Sequence, residues 1–388
     1  MKKLVWYHIL PLIFACFTLW FLYHPLLNLY ETNSQPTSVS SKHLKEEVRF
    51  LTNYQNNVEN ELYVARSLLR KNQLTIFGSS ELSGGKRPGL ANNFLPDSLG
   101  IPVLAIGHGY HELFAIYCEL LYFRPYLQGS KIHIVLSPGW FEDGKGTLPQ
   151  SFLEYVPPHF ITRIINDSSI SSYHTNYLSK TYSTYYRSEL GGKRLEYKYL
   201  GAKERHIPGA EKIKNSLKPK HKLVVIEDKK DLKINPYPNW EKWLNTSLDN
   251  SLKPLNKYHI DSSYFERYVS DKNGNLKVIT VDPVPSTNND ELSDLKQVLQ
   301  LMKENNCEVS FVMQPLHPQH YNSLSEYEPI MDSIDALMAE FGHTDNYLNL
   351  FVTNNNEYEP GILSDVMHFS DYGWMKVNQF LYERHFKK

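Results

Sequence analysis

Two short stretches of this 388-residue chain contain the side chains that nucleophilic catalysis requires. Ser79 and Ser80 follow Gly78 in the first stretch, and Asp365 and His368 lie three positions apart in the second. An aspartate and a histidine at that spacing can face the same way. The histidine can then take a proton from a serine while the aspartate fixes its tautomer and stabilises the imidazolium. Because a serine is a poor nucleophile without such a base, these residues together indicate serine-based chemistry.

Glycines at two further positions can hold the oxyanion that such chemistry forms. Gly107 and Gly109 follow a predicted strand, and the N–H of either one is a candidate donor beside the N–H of the nucleophile's turn. Losing one such donor typically costs about 3 kcal/mol of transition-state stabilisation. A third turn, at 137–140, ends the next predicted strand, and its Trp140 is interpreted either as a sugar-stacking residue or as a core residue.

The elements around these turns alternate between strands and helices. Apolar runs predict strands at 74–80, 101–106 and 131–136, each ending in one of the three turns, and helical spacing appears at 111–127. The alternation returns near the C-terminus as helices at 291–305, 321–341 and 371–385 and strands at 308–313 and 347–351. We therefore predict an α/β fold with a parallel sheet, which binds ligands at the carboxyl ends of its strands.

The N-terminal segment predicts a single transmembrane anchor. Residues 4–27 contain no Asp, Glu, Lys or Arg, and about 20 apolar residues suffice to cross a bilayer. A cleaved signal peptide is the alternative, although its apolar run is usually shorter and ends in a small-x-small site, which does not follow here. Lys2 and Lys3 favour a cytoplasmic N-terminus. Residues 1–3 are then a cytoplasmic tip, and the chain after the anchor lies outside the cytoplasm.

Beyond the anchor, we divide the sequence into a connecting segment and one large domain. Residues 28–71 comprise a polar linker and an amphipathic helix, whose apolar positions run from Leu44 to Leu69 at alternating steps of three and four. The extracytoplasmic α/β domain takes residues 72–388. Its middle part, about 150–285, is rich in Tyr, Ser, Asn, Lys and Pro and is interpreted as a large inserted cap.

Composition and charge exclude several classes of protein. A formal net charge of -1 argues against nucleic-acid binding by bulk electrostatics. The three cysteines form no C-x-x-C pair, so neither a disulfide framework nor a zinc–thiolate site organises the fold, and Cys118 and Cys307 are either free or paired with each other. The two His-x-x-His pairs lack nearby ligands at familiar metal spacing, so we predict no metal site.

The order of the motifs resembles the SGNH/GDSL hydrolase superfamily. The stretch 77–82 (FGSSEL) is similar to its first block, which implies that Ser80 is the nucleophile and that Ser79 stands where an aspartate is usual. The stretch DVMHFSDYG is similar to the last block, which implies that Asp365 and His368 are the acid and the base of a catalytic triad.

The chain as a whole resembles one branch of that superfamily more closely, the DltD family of D-alanine transfer proteins in Gram-positive bacteria. The anchor, FGSSEL, the Ser-Pro-Gly-Trp-Phe loop and the Asp365/His368 stretch carry the resemblance. It implies that Gly109, or else Gly107, donates to the oxyanion. The third superfamily block normally supplies an asparagine donor, but the loop SPGWFEDG has none, and Gly139 stands where this branch usually has a glutamine.

The resemblance implies acyl transfer in teichoic-acid D-alanylation. Ser80 would accept an activated D-alanyl group from a membrane-bound O-acyltransferase partner. His368 would then activate a hydroxyl of lipoteichoic acid, a glycerol-phosphate polymer. No metal or organic cofactor is implied. The expected location is the cell membrane, with one span and an extracellular C-terminal domain. Two alternatives stay open: an extracytoplasmic carbohydrate O-esterase of the same fold, or a non-catalytic membrane tether for the D-alanylation machinery.

Overall fold

The computed structural model describes most of the chain that follows the N-terminal segment. The described residues are 38–40, 48–54, 58–83, 87–142, 147, 149–181, 222–224 and 234–387. The predicted anchor at 4–27 lies outside these ranges. Among the helices within them, none is both long enough and apolar enough to cross a membrane.

The strands of the described residues form one large sheet and two small ones. In chain order they are β1 (Ser38–Ser40), β2 (Phe50–Leu51), β3 (Leu74–Phe77), β4 (Val103–Ile106), β5 (Lys131–Leu136), β6 (Lys222–Val224), β7 (Ile279–Thr280), β8 (Glu308–Met313), β9 (Tyr321–Asn322) and β10 (Tyr347–Asn349). Six of them form the central sheet in the order β10-β8-β5-β3-β4-β2, and every pairing in it is parallel. The small sheets pair β1 with β6 and β7 with β9. The predicted α/β fold with a parallel sheet is confirmed.

Helices cover both faces of the central sheet. In chain order they are α1 (Val58–Leu69), α2 (Ala91–Phe94), α3 (Leu113–Tyr122), α4 (Pro149–Tyr155), α5 (Pro158–Asn166), α6 (Ser172–Thr181), α7 (Trp240–Leu252), α8 (Ser262–Tyr264), α9 (Asp290–Glu304), α10 (Glu328–Glu340) and α11 (Asp371–His385). Leu62 of α1 and Val298 of α9 join Ile134 of β5 in the larger hydrophobic cluster. Trp374 of α11 joins Val135 of the same strand in a second cluster. Successive side chains of a strand point to opposite faces, so both faces of the sheet are buried.

Parallel pairing brings the ends of three neighbouring strands to one edge of the sheet. Phe77 of β3 is level with Ile106 of β4 and with Ile134 of β5, and β5 continues to Leu136. The three turns that the sequence singled out follow directly after these strands. The fold therefore positions the three turns side by side at the carboxyl ends of the strands, where parallel α/β sheets bind ligands.

The structure differs from the sequence prediction in the amphipathic segment that starts at Leu44. The described helix α1 is Val58–Leu69, and the earlier apolar pair Phe50–Leu51 forms the edge strand β2 beside β4. Residues 44–47 and 55–57 of the predicted helix lie outside the described ranges. Leu51 is buried, and its carbonyl accepts the N–H of Gly107 at 3.0 Å. An apolar residue that fills a sheet edge can fit a helical spacing by coincidence, because spacing alone contains no information on the partner strand. Similarly, the predicted helix at 321–341 starts with β9 and a 3-10 turn before α10.

The described part of the predicted cap region packs on the same two clusters. From α4, α5 and α6, the side chains of Phe152, Phe160 and Leu178 enter the larger cluster. From α7, Trp243 packs against the second cluster, to which α11 also contributes. The helices of this region thus add to the core of the sheet domain. Residues 182–221 and 225–233 of the region lie outside the described ranges.

Candidate active site

The candidate nucleophile lies in the turn that ends β3. Gly78 extends the strand by one position, with its N–H donating to the Ile106 carbonyl at 3.2 Å, and a short 3-10 helix runs over Ser80–Ser83. A Cβ atom at position 78 would lie 2.2 Å from Oε1 of Glu81, so a larger residue there would displace the buried Glu81 carboxylate that accepts the Ser79 N–H. The chain therefore turns sharply at the sheet edge, and Ser80 is half-buried there.

The two serines of this turn have different partners. Ser80 Oγ lies 2.9 Å from Nε2 of His368. Ser79 Oγ instead donates to the carbonyl of His108 at 3.2 Å, and the Ser79 N–H donates to the carboxylate of Glu81. The geometry therefore brings Ser80, rather than Ser79, to the predicted base.

The D-x-x-H stretch forms a turn of its own just before α11. Oδ1 of Asp365 accepts the backbone N–H groups of Met367 and His368 at 2.9 and 2.8 Å. Oδ2 of the same carboxylate lies 2.9 Å from Nδ1 of His368. Ser370 then caps the N-terminus of α11 through its side chain. The turn is thus held by its own carboxylate and by the helix that follows, and it directs Nε2 of His368 towards Ser80.

Ser80, His368 and Asp365 form a continuous hydrogen-bonded chain. Both hydrogen bonds form when Nδ1 of His368 carries the imidazole hydrogen. Nδ1 then donates to Asp365, and Nε2 accepts the hydroxyl hydrogen of Ser80. Desolvation lowers the pKa of His368, but the hydrogen bond and charge of Asp365, together with the charge of Glu81, outweigh it and raise the pKa above its ordinary value. A base with a raised pKa retains more firmly the proton that it takes from a serine.

A buried hydrogen-bond network supports the nucleophile turn. Nδ1 of His111 donates to the Gly78 carbonyl at 2.8 Å, and Nε2 lies 2.8 Å from Oε1 of Glu119. Tyr54 donates to the other oxygen of that carboxylate at 3.0 Å. Burial raises the pKa of Glu119, and the charge of His111 and the hydrogen bonds oppose this rise. The sequence analysis does not predict this network. The available signals are His111 in one of the His-x-x-His pairs and a glutamate inside the otherwise apolar helix α3.

Gly107 has a structural role in this arrangement. Its N–H is already used by the carbonyl of Leu51, so it is not available to an oxyanion. Its φ is +152°, and a Cβ atom at this position would lie 2.0 Å from the Gly78 carbonyl oxygen. Glycine is therefore required here so that the turns after β3 and β4 can touch.

Gly109 and Ser80 each have a backbone N–H that can serve as a donor to an oxyanion. Within the described ranges, neither N–H donates to another backbone group. The loop of Gly109 is held in place by Tyr155, whose hydroxyl donates to the Gly109 carbonyl at 2.9 Å. The Tyr155 ring stacks on His111 with 4.3 Å between ring centres. One buried histidine thus contacts both the nucleophile turn and the residue that fixes the glycine loop.

The turn after β5 contributes its tryptophan to the core. Trp140 lies in the short 3-10 helix Pro138–Phe141, is 5% exposed and belongs to the larger hydrophobic cluster. Of the two roles expected for this ring, the structure therefore favours packing over sugar stacking. Beside it, Nε2 of Gln314, just after β8, donates to Oγ of Ser137 at 2.8 Å and joins the ends of two strands.

His317 and His320 form one of the two His-x-x-His pairs, and neither belongs to a group of metal ligands among the described residues. His317 is buried, which lowers its pKa to about 4, and His320 donates from Nδ1 to the Lys277 carbonyl at 2.7 Å. Across the described ranges, no group of three or more His, Cys, Asp or Glu side chains is arranged to hold a metal ion. Cys118 and Cys307, for which pairing had been left open, are both free.

Comparison with known proteins gives a family match over most of the chain. A family model described as DltD protein matches residues 51–387. The matched stretch runs from the edge strand β2 to the end of α11, so it includes Ser80, Asp365 and His368. A comparison with curated proteins found no match.

Proposed function

Since the chain belongs to the DltD family, we propose that it transfers D-alanyl groups to teichoic acid as a serine-dependent acyltransferase. Membership of this family implies a role in the D-alanylation of teichoic acids. One observation supports the finer assignment. Ser80 and His368 stand 288 positions apart in the chain, yet two hydrogen bonds of 2.9 Å join hydroxyl, imidazole and Asp365 carboxylate.

In the first half-reaction, Oγ of Ser80 attacks the carbonyl carbon of an activated D-alanyl group. Its proton moves to Nε2 of His368, and the backbone N–H groups of Ser80 and Gly109 stabilise the negative charge that develops on the carbonyl oxygen. The bond to the donor then breaks, and the proton on His368 passes to the leaving group. A D-alanyl ester on Ser80 remains, and the imidazole is neutral again.

In the second half-reaction, a hydroxyl of the polymer attacks the ester on Ser80. His368 takes the hydroxyl proton and returns it to Oγ of Ser80 as the ester bond breaks. The side chain of His368 is 26% exposed, which leaves room for an acceptor to approach. The product is a D-alanyl ester on the polymer, whose ammonium group offsets part of the polymer's negative charge. Neither half-reaction calls for a cofactor.

This proposal puts the reaction on the outer face of the cell membrane. Residues 4–27 form the single anchor, residues 1–3 lie in the cytoplasm, and the domain at 72–388 lies outside. A membrane-bound O-acyltransferase supplies the activated D-alanyl group, and lipoteichoic acid accepts it. A reporter fused to each end of the chain tests the orientation, since only the N-terminal reporter should be cytoplasmic. A cytoplasmic C-terminal reporter would place the domain on the opposite side of the membrane from lipoteichoic acid and would contradict the proposal.

Replacement of Ser80 tests the chemistry. In cells, Ser80→Ala and His368→Ala are expected to abolish D-alanine ester on teichoic acid while the protein stays in the membrane. A fluorophosphonate should label the wild-type protein but not Ser80→Ala. Ser79→Ala is the matched control, because the Ser79 hydroxyl is one position away and bonded to the His108 carbonyl. Normal ester levels in the Ser80→Ala strain would contradict the proposal.

The same strains separate transfer from the two alternatives. A carbohydrate O-esterase also needs Ser80, but its loss would raise the ester content of its substrate instead of lowering it. A non-catalytic tether makes no use of the serine hydroxyl, so its function would survive the Ser80→Ala change. Mass spectrometry of the protein purified with its membrane partner should detect a D-alanyl adduct on Ser80 if transfer proceeds through this residue.

A further inference from the structure

A cleft of about 380 Å³ opens beside the Asp365 end of the hydrogen-bonded chain. Residues 364–371, the turn that contains Asp365, contribute one part of its lining. Residues 250–268, from α7 to the turn after α8, contribute another, and Arg87 also lines the cleft. Most of the uncharged residues in this lining have hydroxyl or amide side chains. A space of this size accommodates a small polar group or one unit of a longer chain.

The charged side chains of the cleft differ in whether other groups of the protein already engage them. Asp261 caps α8 and accepts two backbone N–H groups there, and Asp365 is engaged in the hydrogen-bonded chain. Asp371 lies 3.6 Å from Nε of Arg87. Arg267, by contrast, is exposed and has no ion-pair partner among the residues that the structure describes. The lining thus has three carboxylates and two guanidinium groups. Each carboxylate is already engaged by other groups of the protein, whereas Arg267 has no ion pair and Arg87 lies 3.6 Å from its partner.

We propose that this cleft binds a phosphodiester of the acceptor polymer, with Arg267 and Arg87 as its cationic contacts. The inference rests on the proposed function, because it assigns a site to the second substrate. A guanidinium presents several N–H donors in one plane, which matches the oxygens of a phosphate. The surrounding hydroxyl and amide groups suit the glycerol units on either side.

The cleft adjoins the base through Asp365, which lines the cleft and is hydrogen-bonded to His368. Nη2 of Arg87 donates at 2.8 Å to the carbonyl of Phe369, the residue that follows His368. Besides burial and the interactions with Asp365, the charge of Arg87 also acts on the pKa of His368, in the lowering direction. A phosphate on Arg87 is therefore within electrostatic reach of the imidazole. A glycerol linked to two phosphates keeps one free hydroxyl, so each acceptor hydroxyl of such a polymer is flanked by phosphodiesters.

Binding of a synthetic glycerol-phosphate oligomer to the full-length protein in detergent tests the proposal. Arg267→Gln removes one exposed guanidinium–phosphate contact and should weaken binding about fivefold at low salt. Arg267→Glu should weaken it further, and Arg267→Lys should keep most of it. The differences should shrink as salt is raised, because exposed charges are screened.

Arg384→Gln is the matched control for the Arg267 variants. Arg384 is an exposed arginine near the end of α11 that does not line the cleft. Each of the two guanidinium groups lies 5.8 Å from the centre of a neighbouring aromatic ring, so the two substitutions remove the same kind of local contact. Oligomer binding by Arg384→Gln should equal that of the wild type.

Fluorophosphonate labelling of Ser80 is measured on the same samples. Weaker oligomer binding by the Arg267 variants, with labelling unchanged, supports the proposal. Equal binding by wild type, Arg267→Gln and Arg267→Glu overturns it, and labelled Ser80 then leaves the proposed function standing. Unlabelled Ser80 in the wild type would instead count against the proposed function. An Arg267 dependence seen only with phosphatidylglycerol vesicles would assign the cleft to a lipid headgroup and also overturn the proposal.

Discussion

Replacement of Asp365 by asparagine should remove nearly all reactivity of Ser80 while the shape of the site is kept. Oδ1 of Asp365 accepts two backbone N–H groups, and Oδ2 accepts the Nδ1 hydrogen of His368. An asparagine still accepts the two backbone N–H groups through its carbonyl oxygen, and its NH₂ group then faces Nδ1 of His368. Nδ1 must now accept, so the imidazole hydrogen moves to Nε2. His368 would then donate to Ser80 instead of taking its proton.

The expected loss of rate is about 10⁴-fold, the size found when the aspartate of a serine-protease triad is changed in this way. At about 1.36 kcal/mol for each factor of ten, this corresponds to about 5.5 kcal/mol of activation free energy. The pH dependence should change as well. Burial lowers the pKa of His368, and the Asp365 carboxylate together with the charge of Glu81 more than offsets this, so the pKa should fall when the Asp365 carboxylate is lost. Because the neutral imidazole is the reactive form, the rate of the wild type should rise with pH through the raised pKa, and this rise should move to lower pH in the variant.

The measurement is the rate of Ser80 labelling by a fluorophosphonate as a function of pH. Asp345→Asn, which changes an exposed carboxylate outside the site, serves as the control. Circular dichroism checks that the Asp365→Asn protein is folded. A labelling rate close to that of the wild type, with its rise at the same pH, would refute the assignment of Asp365 to the hydrogen-bonded chain that activates Ser80.

Two further substitutions test the support of the site. Gly107→Ala places a Cβ atom 2.0 Å from a backbone carbonyl oxygen and should greatly reduce the yield of folded protein and the labelling of Ser80, whereas Gly109→Ala meets nothing within 4 Å and should fold normally. Equal yields of the two variants would show that the turns do not touch as described. His111→Phe leaves the buried carboxylate of α3 without its main partner and should lower the free energy of unfolding by about 3–5 kcal/mol, as measured by urea denaturation. A loss below about 1 kcal/mol would mean that the pair contributes no more than an exposed one.

The positions of the site turns could be predicted from the sequence because each one interrupts an apolar run. Gly78 and Gly107 end strands whose residues are buried on both faces, and such runs are recognisable without knowledge of their partners. Asp365 and His368 were recognisable for a different reason. Their spacing is local, so the turn that joins them needs only its own residues and the helix cap that follows.

The features that escaped prediction all depend on partners distant in the chain. Leu51 belongs to a strand only because β4 lies beside it, and its apolar side chain is equally consistent with a helix. His111 and Glu119 support the nucleophile turn through a carbonyl 33 positions before the histidine. Nothing in the residues around either side chain specifies that contact. Trp140 shows the converse: its ring type suits a binding surface, but the packing around it decides that it is a core residue.

The hydrogen-bonded chain activates Ser80 for transfer and for hydrolysis alike, so the acceptor must be selected elsewhere. With 26% of the His368 side chain exposed, burial of the base does not keep water away from an ester on Ser80. A polymer hydroxyl competes with water only if it is held in place, and well-oriented groups reach effective concentrations of about 10⁵ M or more. If the cleft of Arg267 supplies that orientation, Arg267→Glu should leave acylation of Ser80 intact and release more of the D-alanine as the free amino acid. The ratio of free D-alanine to polymer ester measures this partition directly. An unchanged ratio would mean that orientation of the acceptor comes from another part of the site.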